Sequence, residues 1–245
     1  MKNVMIIDGH FQRRKEANMD IKLNYIDKGT GEPLILLHGN GEYLEYFEHQ
    51  IEYFSKEYRV IALDTRGHGK SPRGDKPFTI RQFADDLKEF MDELGIEKAH
   101  ILGFSDGGNI AMVFAMKYPE RVNKVIMNGA NLYPSGVKLA CYLSITFEYY
   151  QALYFSKKSK KAKQKAELYG LMAKDPYVKP RELKQLKAKT LVLVGDKDLI
   201  RLSHSKLISR KLPDGELKVI PGDHWVAKNS PKVYNKAVKE FLRKK

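Results

Sequence analysis

Apolar positions along the chain fall into two rhythms. Short, dense runs of aliphatic and β-branched residues recur at 3–7, 22–26, 34–37, 59–63, 99–102, 124–127, 190–194 and 217–220. From the third run onward, most are separated by segments in which apolar residues return every three or four positions, the helical spacing. Runs that are apolar without alternation are strands buried on both faces. The pattern therefore predicts the α/β class, with a mostly parallel eight-stranded sheet flanked by helices. Helices are expected at 80–94, with Phe83, Leu87, Phe90, Met91 and Leu94 on one face, and at 109–117. A third is expected at 231–242, where Ser230 caps, Pro231 takes the first helical position, and Val233, Val238, Phe241 and Leu242 point inward.

The rhythm breaks between 131 and 186. This stretch has no strand-like run, holds Pro134, Pro176 and Pro180, and contains two helical patterns at 137–155 and 157–173. Helices inserted between the sixth and seventh of eight strands would sit over the carboxyl ends of a parallel sheet, where ligands bind in open α/β folds. The expected division is a core of 1–130 and 187–245 with a small helical lid at 131–186.

Composition narrows the class. The chain has 245 residues, 42% of them apolar, enough for one large domain with a substantial core. A single Cys141 excludes an internal disulfide and reads as a small buried apolar residue, and no Cys/His cluster has zinc spacing. The opening apolar stretch ends too soon for a signal peptide, and no run approaches a membrane span, so a cytoplasmic protein without integral membrane association is expected. The formal net charge is +14. Residues 131–184 hold 11 Lys/Arg against 4 Asp/Glu, half of that excess. Solvated helix faces account for such a charge; an anionic membrane surface or an acidic substrate are the sharper readings. Nucleic acid is not expected as a partner, because the basic cluster 157–165 has no interleaved aromatics.

The chemistry concentrates in Gly103-Phe104-Ser105-Asp106-Gly107, between a strand-like run and a helix-like stretch. A Gly-x-Ser-x-Gly in that position is a nucleophile elbow, a turn tight enough to force the serine into a strained backbone and lift its hydroxyl off the sheet. An activated serine needs a base, an acid to orient it, and donors for an oxyanion. His224, in Pro221-Gly222-Asp223-His224-Trp225 after the last run, is the expected base. In Gly195-Asp196-Lys197-Asp198 both aspartates are candidates for the acid; Asp198 is favoured because Leu199 and Ile200 anchor it, leaving Asp196 as a turn residue. Oxyanion donors are expected from the backbone N–H of Asp106 and of Asn40, in the loop His38-Gly39-Asn40-Gly41, with the Asn40 side chain uncommitted and His38 bracing the loop. Asp223 and His204 read as solvated, His204 as an exposed helix residue. Asp64-Thr65-Arg66-Gly67-His68-Gly69-Lys70-Ser71 lacks phosphate-loop spacing and reads as a turn braced by Asp64 and Arg66.

Five pieces carry a resemblance over almost the whole chain: His38-Gly39-x-Gly41, Asp64-x-Arg66-Gly67-x-Gly69-x-Ser71, Gly103-x-Ser105-x-Gly107-Gly108, Gly195-x-x-Asp198 and Gly222-x-His224. In this order they resemble the α/β-hydrolase superfamily, in its serine-nucleophile branch. The resemblance implies hydrolysis of a small-molecule ester or other acyl compound with no cofactor and no metal. Ser105-Asp106-Gly107-Gly108, Lys117-Tyr118-Pro119 and Asn128-Gly129-Ala130-Asn131-Leu132-Tyr133 further resemble the biphenyl-hydrolase-like group that includes valacyclovirase. That group acts on α-amino acid esters, which implies Asp106 as an anchor for a substrate ammonium, with Gly39 and Trp225 also lining the substrate site. Two other readings use the same sequence: a C–C bond hydrolase or related lyase taking an anionic ketonic substrate, and a non-catalytic binding protein on a hydrolase scaffold. A peripheral membrane contact through 157–165 is a further expectation. Oligomeric state is not legible.

Overall fold

The computed structural model describes residues 20–244. Seven strands form one sheet: β1 (Tyr25–Lys28), β2 (Pro33–Leu37), β3 (Arg59–Leu63), β4 (Ala99–Phe104), β5 (Val122–Asn128), β6 (Lys189–Gly195) and β7 (Gly215–Ile220). Their order is β1-β3-β2-β4-β5-β6-β7, with β1 antiparallel to β3 and every other pair parallel. The predicted run at 3–7 lies outside the described residues. The run at 22–26 becomes a strand three residues later than expected. Leu23 is buried in the core, but the edge strand β1 is exposed at all four positions and is held by backbone pairing with β3.

Within each apolar run, successive side chains enter different layers. Ile35, Leu37, Ile61, Leu63, Ile101 and Val125 face one core with α2 (Ile80–Glu93), α3 (Asp106–Lys117) and α6 (Leu202–Lys211). Leu34, Leu36, Val60, Ala62, Leu102 and Ile126 face a second core with α1 (Glu48–Phe54), α7 (Val226–Asn229) and α8 (Pro231–Leu242). Burial on both faces is why these strands read as unbroken apolar runs.

The helices follow from local signals. Thr79 Oγ1 caps α2 by accepting from Gln82 N–H at 3.2 Å. Phe83, Leu87, Phe90 and Met91 then line its buried face, and Gly95 at φ 65° ends it in the left-handed region. In α8, Pro231 takes the first position as expected, but the Ser230 side chain makes no cap hydrogen bond. Val233 faces solvent; Tyr234, Ala237, Val238, Phe241 and Leu242 form the buried stripe.

Between β5 and β6 the chain leaves the sheet for α4 (Leu139–Phe155) and α5 (Lys160–Lys174), which pack on each other. Cys141 lies half-buried in α4. The segment is tied down at its base. Lys138 N–H donates to Leu199 O at 2.9 Å, Arg201 N–H to Gly136 O at 3.1 Å and Val178 N–H to Leu132 O at 2.8 Å. His204, expected on the surface, is buried in α6, where its Nε2 accepts from Leu132 N–H at 3.0 Å and burial pushes its pKa down to about 4. No helix among the described residues is long and apolar enough to cross a membrane, and no group of three or more His, Cys, Asp or Glu among them is placed to hold a metal ion.

Candidate active site

The site is assembled at the carboxyl ends of β2, β4, β6 and β7 (the positions of the loops that follow them). β4 ends at Phe104, and the next residue, Ser105, adopts φ 52° and ψ −118°, the one positive φ among the described non-glycine residues. Its N–H donates to Asn128 O at 2.7 Å, and its O accepts from Asn109 N–H at 3.0 Å, which locks the turn between sheet and helix. Both flanking glycines are sterically required. A Cβ on Gly103 would lie 2.1 Å from Gly107 O, and one on Gly107 would lie 2.0 Å from Leu37 O. Gly107→Ala is therefore expected to cost about 3 kcal/mol, the upper end for overpacking because the obstacle is backbone, and a urea-unfolding midpoint checks it.

Ser105 Oγ lies 3.1 Å from His224 Nε2, and His224 Nδ1 lies 2.7 Å from Asp198 Oδ1. The three residues are 119 and 26 positions apart and meet only through the sheet. Asp198 Oδ1 also accepts from Ile200 N–H at 2.9 Å, and Oδ2 is buried without a hydrogen-bond partner. The carboxylate therefore holds the ring through a single oxygen. The ring itself is confined. Phe104 is 4.9 Å away, Trp225 meets it edge-on at 5.5 Å, and a Cβ on Gly129 would come within 2.7 Å of its Cε1. Asp196, the competing acid, instead accepts from Gly222 N–H at 3.0 Å and ties the β6 and β7 loops together. Asp223 caps the following turn through Trp225 N–H at 2.9 Å and the Asn229 side chain, so it is a local brace.

The loop after β2 runs alongside. Gly39 is held so close that a Cβ would meet the Phe104 ring at 2.9 Å and Ser105 Cβ at 3.2 Å. His38 does brace this loop: its Nδ1 is 2.8 Å from Gly39 O, and its Nε2 accepts from Thr65 N–H at 3.0 Å. Burial pushes its pKa down to about 3. Gly41, at φ 71°, lets the chain reverse into the next helix. The Asp64–Ser71 turn packs beneath, with Asp64 accepting from Leu44 N–H, Lys70 N–H and Asn24 Nδ2, each at 2.8 Å. Arg66 spans Asp20 and Asp86 at 2.7 Å to each. The turn is braced by the two residues expected.

The Asn40 side chain, expected to be uncommitted, is engaged. Its Nδ2 donates to Asp106 Oδ2 at 2.9 Å and to Leu168 O of α5 at 2.9 Å. Asp106 Oδ1 accepts from Asn109 Nδ2 at 3.2 Å, and Asn109 in turn bonds Asn131. Helix α3 thus begins at Asp106, three residues earlier than expected, and the Asp106 N–H is among the amides at a helix start that have no partner within the helix. Burial pushes the Asp106 carboxyl up to about 6. The neutral form is favoured in the folded state, so this group's contribution to stability is complete below the unfolded value near 4 and is lost as pH rises through about 6. Relative to Asp106→Ala, the parent protein is expected to lose stability between pH 5 and pH 8, as urea unfolding at both values would record. Two further ties to the insertion were not legible: Arg73 with Glu167 at 2.8 Å, and Ile80 N–H with Asp175 at 2.5 Å. Nothing in the spacing of these residues signals contacts across such distances.

Comparison with known proteins agrees with the fold. The sequence model described as alpha/beta hydrolase fold matches residues 32–140. The 2-hydroxy-6-oxo-6-phenylhexa-2,4-dienoate hydrolase of Burkholderia cepacia is 32% identical over 92% of this chain and 92% of its own. The 2-hydroxy-6-oxononadienedioate/2-hydroxy-6-oxononatrienedioate hydrolase of Comamonas testosteroni is 30% identical over the same shares. Among solved structures, the meta-cleavage product hydrolase CumD of Pseudomonas fluorescens superposes with a TM-score of 0.73 at 27% identity, covering 91% of this chain and 94% of the other. With a full-length relative 32% identical and a solved hydrolase that shares its fold, this chain belongs to the α/β hydrolase fold family and is an enzyme of the hydrolase class.

Proposed function

We propose that the chain is a serine hydrolase that cleaves small carboxylic esters through an acyl-enzyme. The observation that carries this reading is the continuous line from Ser105 Oγ through His224 to Asp198, at 3.1 and 2.7 Å. Ser105 Oγ bonds to the acyl carbon as its proton passes to His224 Nε2. The oxyanion of the tetrahedral intermediate is met by the backbone N–H groups of Asn40 and Asp106. His224 then returns the proton to the leaving alcohol as the C–O bond breaks, and a water activated by the same ring hydrolyses the acyl-enzyme. Asp198 holds the imidazole in the tautomer this needs. Helices α4 and α5 act as the lid, and the Asn40–Leu168 hydrogen bond couples the lid to the oxyanion loop. Gly39 and Trp225 flank the acyl position. Both Asp106 carboxylate oxygens are taken by asparagine side chains, which supports a brace on Asn40 better than an open anion waiting for a substrate ammonium.

The test is labelling by a fluorophosphonate together with hydrolysis of a series of p-nitrophenyl esters. Labelling that disappears in Ser105→Ala, with ester turnover that disappears alongside it, supports the reading. No labelling of the folded parent overturns it and points to a binding protein. A second reading is favoured by the names of the full-length relatives, which are dienoate hydrolases. In that reading the same serine and histidine cleave a C–C bond of an anionic ketonic acid. Turnover of a 2-hydroxy-6-oxodienoate without turnover of simple esters selects it over the first.

A further inference from the structure

Helix α4 carries a surface that the catalytic reading leaves unused. Leu139, Leu143, Phe147, Tyr150 and Tyr154 recur at steps of three and four, so they form one stripe along the helix. Each is more than half exposed. The other side of the helix is spent on α5, where Tyr149 and Ala152 are buried. Single exposed apolar residues are ordinary, but a continuous stripe of five large ones marks a contact surface.

The neighbourhood of the stripe identifies the contact. At the carboxyl end of α4 the chain turns through Lys157 and Lys158 into the start of α5, where Lys160, Lys161 and Lys163 follow, all exposed. An apolar and tyrosine-rich helix with a lysine cluster at one end suits a bilayer interface, with its apolar face among the headgroups and the cations on lipid phosphates. Tyrosine adds to the fit, because its ring is apolar and its hydroxyl is wet. A second copy of the chain is a poorer occupant. A self-contact on this stripe would leave the lysine cluster without an anionic partner, which an anionic bilayer supplies.

We propose that α4 and the α4–α5 turn form a docking face for an anionic lipid bilayer. The face lies on the insertion between β5 and β6 and is independent of which bond the active site cleaves. The test is sedimentation of the full-length protein with vesicles of phosphatidylcholine alone, and with vesicles of equal parts phosphatidylcholine and phosphatidylglycerol. Binding is expected only to the second, and it should weaken as salt is added. Replacing Lys157, Lys158, Lys160 and Lys161 by Gln is expected to lower the partition coefficient about fivefold per lysine. The double variant Leu143→Ser, Phe147→Ser is expected to reduce binding even at low salt, and melting curves confirm that these surface variants remain folded. Binding that ignores the serine variants would mean diffuse adsorption of a basic protein and would overturn the proposal. So would the absence of binding to the anionic vesicles; a dimer that the serine variants return to a monomer would then assign the stripe to a second copy.

Discussion

His224→Ala and Ser105→Ala are each expected to lower kcat by about 10⁶-fold, and the double variant by no more than either single one. The proton leaving Ser105 Oγ has one acceptor in reach, Nε2 at 3.1 Å, and the ring has no use once the serine oxygen is gone. Non-additivity is the sharper part of the prediction, because two residues contributing separately would give multiplied losses. Single-turnover rates with an activated ester measure it. The backbone provides a companion result. Ser105 sits at φ 52°, where a side chain is disfavoured. Ser105→Gly is therefore expected to be about 1 kcal/mol more stable than Ser105→Ala, although both are inactive.

Arg66→Met is expected to produce the largest loss of stability, about 3–5 kcal/mol, and to lower Tm by roughly 10 °C in a chain of this size. The Arg66 side chain is fully buried and carries paired hydrogen bonds to Asp86, itself buried, and to Asp20. Removing the guanidinium leaves the Asp86 carboxylate in the core with only the Gln82 side chain to meet it. Arg66→Met combined with Asp86→Leu is expected to recover part of the loss, since the uncompensated charge is the main cost. The Arg66 guanidinium beside Asp20 also holds that carboxyl below the usual carboxylate range. A depressed folded value contributes stability above the unfolded pKa near 4, which is lost as pH falls further. The gap between parent and Arg66→Met should accordingly narrow in acid, and calorimetry across pH 3 to 7 tests this.

The parts of the molecule legible in the sequence share a cause. Ser105, Asp198 and His224 each follow an apolar run within a few residues, so the strands that position them announce them. Glycines at 103 and 107 are legible in the same way, because a missing side chain leaves a mark in sequence. What escaped was set by contacts between distant segments. β1 was misplaced because its pairing is made by backbone, while the buried Leu23 drew the pattern upstream. His204 sits among polar and basic neighbours in α6, and its burial comes from the Gly136 turn of the insertion, where a Cβ would lie 2.6 Å from its Nε2. The Asn40 amide looked free because one of its partners, Leu168 O, is 128 positions away and belongs to backbone that any residue supplies.

The arrangement of the sheet has a consequence for synthesis. Ser105 and His224 are separated by 119 residues, which at about 5–20 residues per second is roughly 6–24 seconds of translation. For that interval Ser105 exists without His224, and the contact between them cannot form. Until β6 is made, β5 has no partner on that side, and an unpaired apolar edge invites association with other chains. The segment that emerges next, residues 131–184, is basic, with 11 Lys/Arg against 4 Asp/Glu. Its lysines precede β6 in the chain, and like charge beside an uncovered apolar edge is the arrangement that opposes association between chains.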